Sequence, residues 1–269
     1  MNLPDGVVTG SPFSHWARWA VRALYLVSSA YAFAAPQAAI SQTSAAPSPA
    51  DVCLLANRGM SLDAPLPRTA ARLRNGGTLK VVAIGSSSTV GLWVLKSAAT
   101  YPAVLQRELA ALRPTLRIEM INSGKIGDTI PGNISRFSRD VFAHKPDLVI
   151  WQLGTNDIAW GGSVDGLKSV VVAGVQALKS SGADVILMDQ QYSPQVLASS
   201  HHAAMQRLIA DISQQEHVSR FSRFELMRRS VGAGLPVQAL VSWDGLHNSA
   251  DGYECVGRAL ARAISAIAL

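Results

Sequence analysis

Three consecutive hydroxyls, Ser86, Ser87 and Ser88, follow a run of apolar β-formers in "VVAIGSSSTVG" (81–91). Further along lie "NSGKIGDT" (122–129), "GTND" (154–157) and "SWDGLHNSADGY" (242–253), in which Asp244 precedes His247 with two residues between them. These residue types suit acyl transfer. A serine hydroxyl is a weak nucleophile until a base takes its proton, and the base needs a third group to orient it. Charge developing on a carbonyl oxygen needs donors fixed in advance, and losing one typically costs about 10²–10³ in rate. Serines, a glycine N–H, an asparagine amide and a carboxylate–imidazole pair supply each part. Taken singly, every block has a plainer reading: a flexible or phosphate-cradling loop for GSSST, a turn for GTND, a chance pair for D-x-x-H. Their joint order is the signal.

The elements that must hold these blocks are legible as short apolar runs bounded by turn formers. "LKVVAIG" (79–85), "RIEMINSG" (117–124), "DLVIWQLG" (147–154) and "DVILMDQQ" (184–191) read as buried parallel strands. Helix-compatible stretches cover 101–114, 131–146, 163–182, 199–216 and 250–269, whereas 218–241 reads as irregular with one weak strand. Strand–helix alternation of this kind implies a parallel sheet with helices on both faces. Chemistry in such sheets collects at the carboxyl ends of the strands, and three of the blocks directly follow a predicted strand. The expectation is a three-layer α/β/α domain with a flavodoxin-like parallel sheet of about five strands.

Arg18 and Arg22 precede the apolar stretch "ALYLVSSAYAFAA" (23–35), and Ala32-Phe33-Ala34 offers a small-residue cleavage site. This run of about 13 residues is shorter than the roughly 20 that a spanning helix needs, so no stable membrane span is expected. Residues 1–34 read as a signal peptide, 35–50 as a Pro/Ala/Ser-rich linker and 51–269 as the folded domain. The destination is then periplasmic or secreted, with an uncleaved anchor as the alternative. In an oxidising compartment the only two cysteines, Cys53 and Cys255, either form a disulfide or remain two unrelated buried thiols. The net charge of +6 is scattered and forms no basic stripe interleaved with aromatics, which gives nucleic-acid binding little support. His201 and His202 have no partner at ligand spacing and read as surface residues, so no metal and no cofactor is expected. Met188, Gln190, Gln191 and Tyr192 close the fourth strand and either line a pocket or simply pack. Neither a G-x-S-x-G elbow, a P-loop nor a dinucleotide fingerprint is present.

The four blocks, in this order, resemble the SGNH (GDSL-type) hydrolase superfamily over almost the whole of 51–269. That resemblance implies Ser87 as nucleophile, His247 as base and Asp244 as its orienting partner, with Gly127, the Ser87 N–H and Asn156 as oxyanion donors. "GTND" and "DGLH" match their family blocks in full, and the G-x-S-x-T register fits Ser87 alone among the three serines. The first block departs from the family at Ser86, where an aspartate is usual, which leaves the geometry of that loop in question. The implied activity is hydrolysis of carboxylic esters, acyl or acetyl, through an acyl-enzyme. Carbohydrate or small acyl esters are favoured because no long apolar lid segment is visible. Three alternatives remain open: a lipid or thioester acylhydrolase, acyl transfer to a sugar, and a catalytically silent glycan-binding domain that keeps the fold.

Overall fold

Five runs of the chain, β1 (Gly77–Gly85), β2 (Leu116–Gly124), β3 (Leu148–Gln152), β4 (Asp184–Met188) and β5 (Ser219–Phe221), pair in the order β2-β1-β3-β4-β5. Every pairing is parallel. The computed structural model describes residues 48–267 apart from Leu95 and Trp160. The expected signal peptide and all but the last few residues of the linker lie outside the described residues.

β3 and β4 are buried along their full length, as strands covered on both faces must be. Successive side chains point to opposite faces. Leu79, Val81, Ala83, Leu148, Ile150, Ile186 and Met188 therefore share one core with helices Tyr101–Leu112, Arg223–Gly232 and Ala250–Ala266. Val82, Ile84, Val149, Trp151, Val185 and Leu187 share the other with Leu167–Ser180 and His202–Glu216. The result is three layers. β1 lies between β2 and β3, so the winding of the sheet reverses there, and a crevice opens at the carboxyl ends of those strands.

Three segments differ from expectation. The stretch 131–146 is not one helix but Ile130–Ser135, Phe137–Asp140 and a 3-10 turn at Phe142–His144. Arg136 breaks it, because its buried guanidinium is committed to partners outside the helix. The stretch 218–241 is more regular than its sequence suggests, holding β5, helix Arg223–Gly232 and the turn Val237–Leu240. Ser222 caps that helix by accepting the Glu225 N–H at 3.3 Å. Helix Pro49–Ala56 starts inside the expected linker, where Ser48 and Asp51 form a capping box and Pro49 takes the first helical position.

Cys53 and Cys255 are joined in a disulfide, with Cα atoms 5.7 Å apart, that ties helix Pro49–Ala56 to the terminal helix. Arg258 adds a 3.3 Å ion pair to Asp51 across the same contact. Among the described residues no helix is long and apolar enough to cross a membrane.

Candidate active site

β1 delivers the chain through extended Ser86 into a single helical turn, Ser87–Val90, which Gly91 ends in the left-handed region at φ +89°. Gly85 has no room for a side chain, since a Cβ there would lie 2.7 Å from Gln152 Oε1 and against Thr89 Oγ1. Gln152, the last residue of β3, holds this turn from behind. Its Oε1 accepts from Ser86 N (2.9 Å), Ser86 Oγ (3.0 Å) and Thr89 Oγ1 (3.1 Å). Ser86 thus spends its hydroxyl on an amide oxygen. With a hydroxyl at Ser86, the Gln152 amide turns its oxygen toward this turn and accepts all three donors.

His247, the expected base, lies on a loop closed by an antiparallel bridge between Val241 and Asn248. Ser242 N donates to His247 O at 2.7 Å, and Gly245 turns the loop at φ +69°. Ser249 accepts the Gly252 N–H at 3.0 Å and starts the terminal helix. Two glutamines brace the loop from outside: Gln191 Nε2 donates to Leu246 O (2.8 Å) and Gln195 Nε2 to Asp244 O (2.6 Å). Gln191 is itself fixed by the fully buried Arg223, whose Nη2 donates to Gln191 Oε1 at 2.8 Å. Of the residues that close the fourth strand, Met188, Gln190 and Gln191 are fully buried, and Tyr192 is partly exposed. His202 is half-buried and stacks on Phe224, rather than lying free on the surface.

Within this loop His247 Nδ1 lies 2.5 Å from Asp244 Oδ2, and His247 Nε2 lies 2.7 Å from Ser87 Oγ. With Nδ1 facing the carboxylate, that nitrogen carries the proton and Nε2 accepts from the serine. Asp244 Oδ1 accepts from the Leu246 and His247 N–H groups, each at 3.0 Å. Burial pushes the Asp244 carboxyl up. The hydrogen bonds from His247, Leu246 and Trp93 outweigh it and hold the carboxyl below its ordinary range. Asp244 therefore stays ionised and fixed.

Trp93 was not singled out by its sequence context. Its Nε1–H donates to Asp244 Oδ2 at 2.7 Å, across 151 positions of sequence. Its backbone sits at φ +71°, a conformation that costs a bulky residue about 1–3 kcal/mol. The indole also meets that of Trp243, with centroids 5.0 Å apart and planes tilted by 58°.

On the other side of the crevice Gly127 turns at φ +74° in the loop after β2, and Asn156 lies in the short helix Thr155–Ala159 after β3. Asn156 Nδ2 donates to Asp128 O at 2.8 Å, which uses one amide hydrogen and leaves the other. Asp157 accepts the Ile130 N–H at 3.0 Å and docks the same loop, and burial pushes its carboxyl up. Arg136 ties β1 to β2: Nη2 donates to Gly85 O (2.9 Å), Nη1 to Ser123 O (2.6 Å) and Nε to Asp128 Oδ2 (2.6 Å). Asp140, paired with Arg139 and with Arg136, has its carboxyl lowered to about 2.

The five residues singled out from the sequence therefore gather at one end of the sheet. Ser87, His247 and Asp244 form a hydrogen-bonded line, while Gly127 and Asn156 stand at the ends of the strands on either side of β1.

A family model described as "Non-GDSL lipase-like family" matches residues 52–269. An esterase, TesA, of Pseudomonas aeruginosa is 28% identical over 170 residues, covering 63% of this chain and 79% of that protein. An acetylxylan esterase of Geobacillus stearothermophilus is 25% identical over 181 residues, covering 61% of this chain and 80% of that protein. Among solved structures, a two-domain esterase active on acetylated mannans superposes with a TM-score of 0.65 at 19% identity over 79% of this chain. The chain spans only 55% of that protein's length. An acetylxylan esterase structure from Geobacillus stearothermophilus gives a TM-score of 0.61 at 24% identity, over 70% of this chain and 95% of that one. Both likenesses speak for the fold.

Proposed function

The chain belongs to the non-GDSL lipase-like family, within the SGNH hydrolase superfamily, and from that premise we propose that it is an exported serine esterase acting on acyl or acetyl esters of carbohydrates. The observation that carries this reading is the continuous line Ser87–His247–Asp244, with contacts of 2.7 and 2.5 Å.

The steps follow from that line. His247 Nε2 takes the Ser87 proton as Oγ attacks the ester carbonyl, and Asp244 stabilises the imidazolium that forms. The carbonyl oxygen gathers negative charge opposite Gly127, Asn156 and the Ser87 N–H. The last belongs to the first residue of a helical turn and has no partner within it. When the tetrahedral intermediate collapses, the C–O bond to the alcohol breaks and His247 returns the proton to the leaving oxygen. A water then attacks the acyl-serine, with His247 taking its proton, and the acid leaves as Ser87 regains its hydrogen.

Among the curated relatives, the acetylxylan esterase is named for a carbohydrate ester, which supports the carbohydrate reading. The Ser86–Gln152 pairing supports the enzyme reading over a silent binding domain, because the turn carrying Ser87 is held without the usual aspartate. Export is proposed from residues 1–34, and the Cys53–Cys255 disulfide fits an oxidising destination. Labelling with a fluorophosphonate probe, followed by peptide mapping, tests the enzyme reading, with Ser87 expected to carry the label. An unlabelled Ser87 in the folded protein would return the silent-domain reading.

A further inference from the structure

Trp93 and Trp243 remain conspicuous after the chemistry is accounted for, because they are large apolar side chains left 50% and 80% exposed beside a catalytic carboxylate. They join the site at a fixed point. The Trp93 N–H, Asp244, His247 and Ser87 form one chain of hydrogen bonds of 2.7, 2.5 and 2.7 Å. Trp243 is the residue directly before Asp244, and it also walls a cavity of about 400 Å³ with Ser242, Gln238 and Pro194. That volume lies in the ordinary range for small-molecule sites, about 300–1,000 Å³.

We propose that this cavity and the two indoles form the subsite for the alcohol half of the substrate, a pyranose ring of an acylated oligosaccharide. The inference rests on the carbohydrate-ester reading above and deepens it. A pyranose presents a flat C–H face and a polar rim, and the site offers the counterpart of each. Tilted, solvent-facing indoles supply aromatic surface, while the exposed Gln238 amide and the Ser242 hydroxyl line the cavity with Trp243 to meet sugar hydroxyls. A long acyl chain would gain little here, since an open wall leaves much of it in water. The carboxylate bond that fixes Trp93 means a sugar meets a preformed surface and orders no loop to bind.

The test compares acetylated xylobiose with ethyl acetate, which carries the same acyl group and no sugar, in wild type, Trp243→Ala and Trp243→Phe. The expected result is a fall of about tenfold in the ratio of the two kcat/KM values in Trp243→Ala, mostly through KM on the sugar ester. Trp243→Phe restores most of the ratio. A general loosening of the triad lowers both substrates together and leaves the ratio fixed. An unchanged ratio in Trp243→Ala, with wild type active on both esters, overturns the subsite alone. A wild-type enzyme that hydrolyses ethyl acetate but no acetylated sugar overturns the carbohydrate reading and the subsite with it.

Discussion

His247 Nε2 touches Ser87 Oγ and His247 Nδ1 touches Asp244, so the imidazole is the one group through which the other two communicate. His247→Ala should lower kcat by about 10⁴-fold or more and leave the melting temperature near that of wild type, because the side chain bonds only within the site. Asp244→Ala should cost less in rate than His247→Ala, since the orienter matters less than the base. Asn156→Ala should lower kcat by about 10²-fold through lost oxyanion stabilisation. Steady-state kinetics on a short p-nitrophenyl ester rank the three. A His247→Ala enzyme with wild-type turnover would overturn the assignment of His247 as base. Ser87 was distinguishable from its neighbours by register alone. The structure gives the physical reason: Ser86 is turned to Gln152, and the Ser87 hydroxyl meets His247 Nε2.

At the scale of elements, the crevice depends on side chains that pin one loop to the next. Gln152 accepts three buried donors from the turn that carries Ser87, so Gln152→Leu strands the Ser86 N–H and hydroxyl and leaves Thr89 Oγ1 only the Tyr101 hydroxyl at 3.4 Å. Each buried group left unpaired costs about 1–3 kcal/mol. With two groups stranded, urea unfolding should show a loss of about 2–6 kcal/mol in all, with kcat falling as the turn loosens, and Gln152→Glu should recover much of both because it keeps an acceptor. Wild-type stability in Gln152→Leu would mean that the turn is held by packing alone. The strands carrying the blocks were legible because parallel strands buried on both faces must be continuous apolar runs, and the blocks were legible because acyl transfer demands particular residue types. The supports were not. Gln152 looks like the end of a strand, Arg136 like an ordinary residue within a helix, and Trp93 like a loop residue. What each one does depends on a partner brought close only by the fold, 66, 51 and 151 positions away. Helix Arg223–Gly232 was within reach of the sequence, since Ser222 and Glu225 stand at capping-box spacing.

For the molecule as a whole, two features set where stability is lost. Glu225, bonded by Arg228 and Arg229, and Asp140, bonded by Arg139 and Arg136, have carboxyls lowered to about 2. Their folded values lie below their unfolded ones, so their contribution is present above the ordinary carboxylate range and disappears as pH falls toward about 2. Thermal melts should be level between about pH 7 and 5 and drop below about 4.5, with Glu225→Gln flattening part of the drop; an unflattened drop would remove Glu225 from the account. The disulfide acts on the unfolded chain instead. Cys53 and Cys255 are 202 positions apart, so the bridge restricts nearly the whole domain before it folds. A loop of that size is worth about 5 kcal/mol by chain entropy, and removal of native bridges typically costs about 2–5 kcal/mol. At this chain length that corresponds to a fall in Tm of about 5–15 °C. Cys53→Ser/Cys255→Ser should show this fall under oxidising conditions and melt close to the reduced wild type. Its active-site residues should keep their activity at 25 °C, because the bridge joins helices Pro49–Ala56 and Ala250–Ala266 and none of the loops around Ser87. If the double variant melts with the oxidised wild type, the terminal helix holds Pro49–Ala56 by packing and the Arg258–Asp51 pair without help from the bridge.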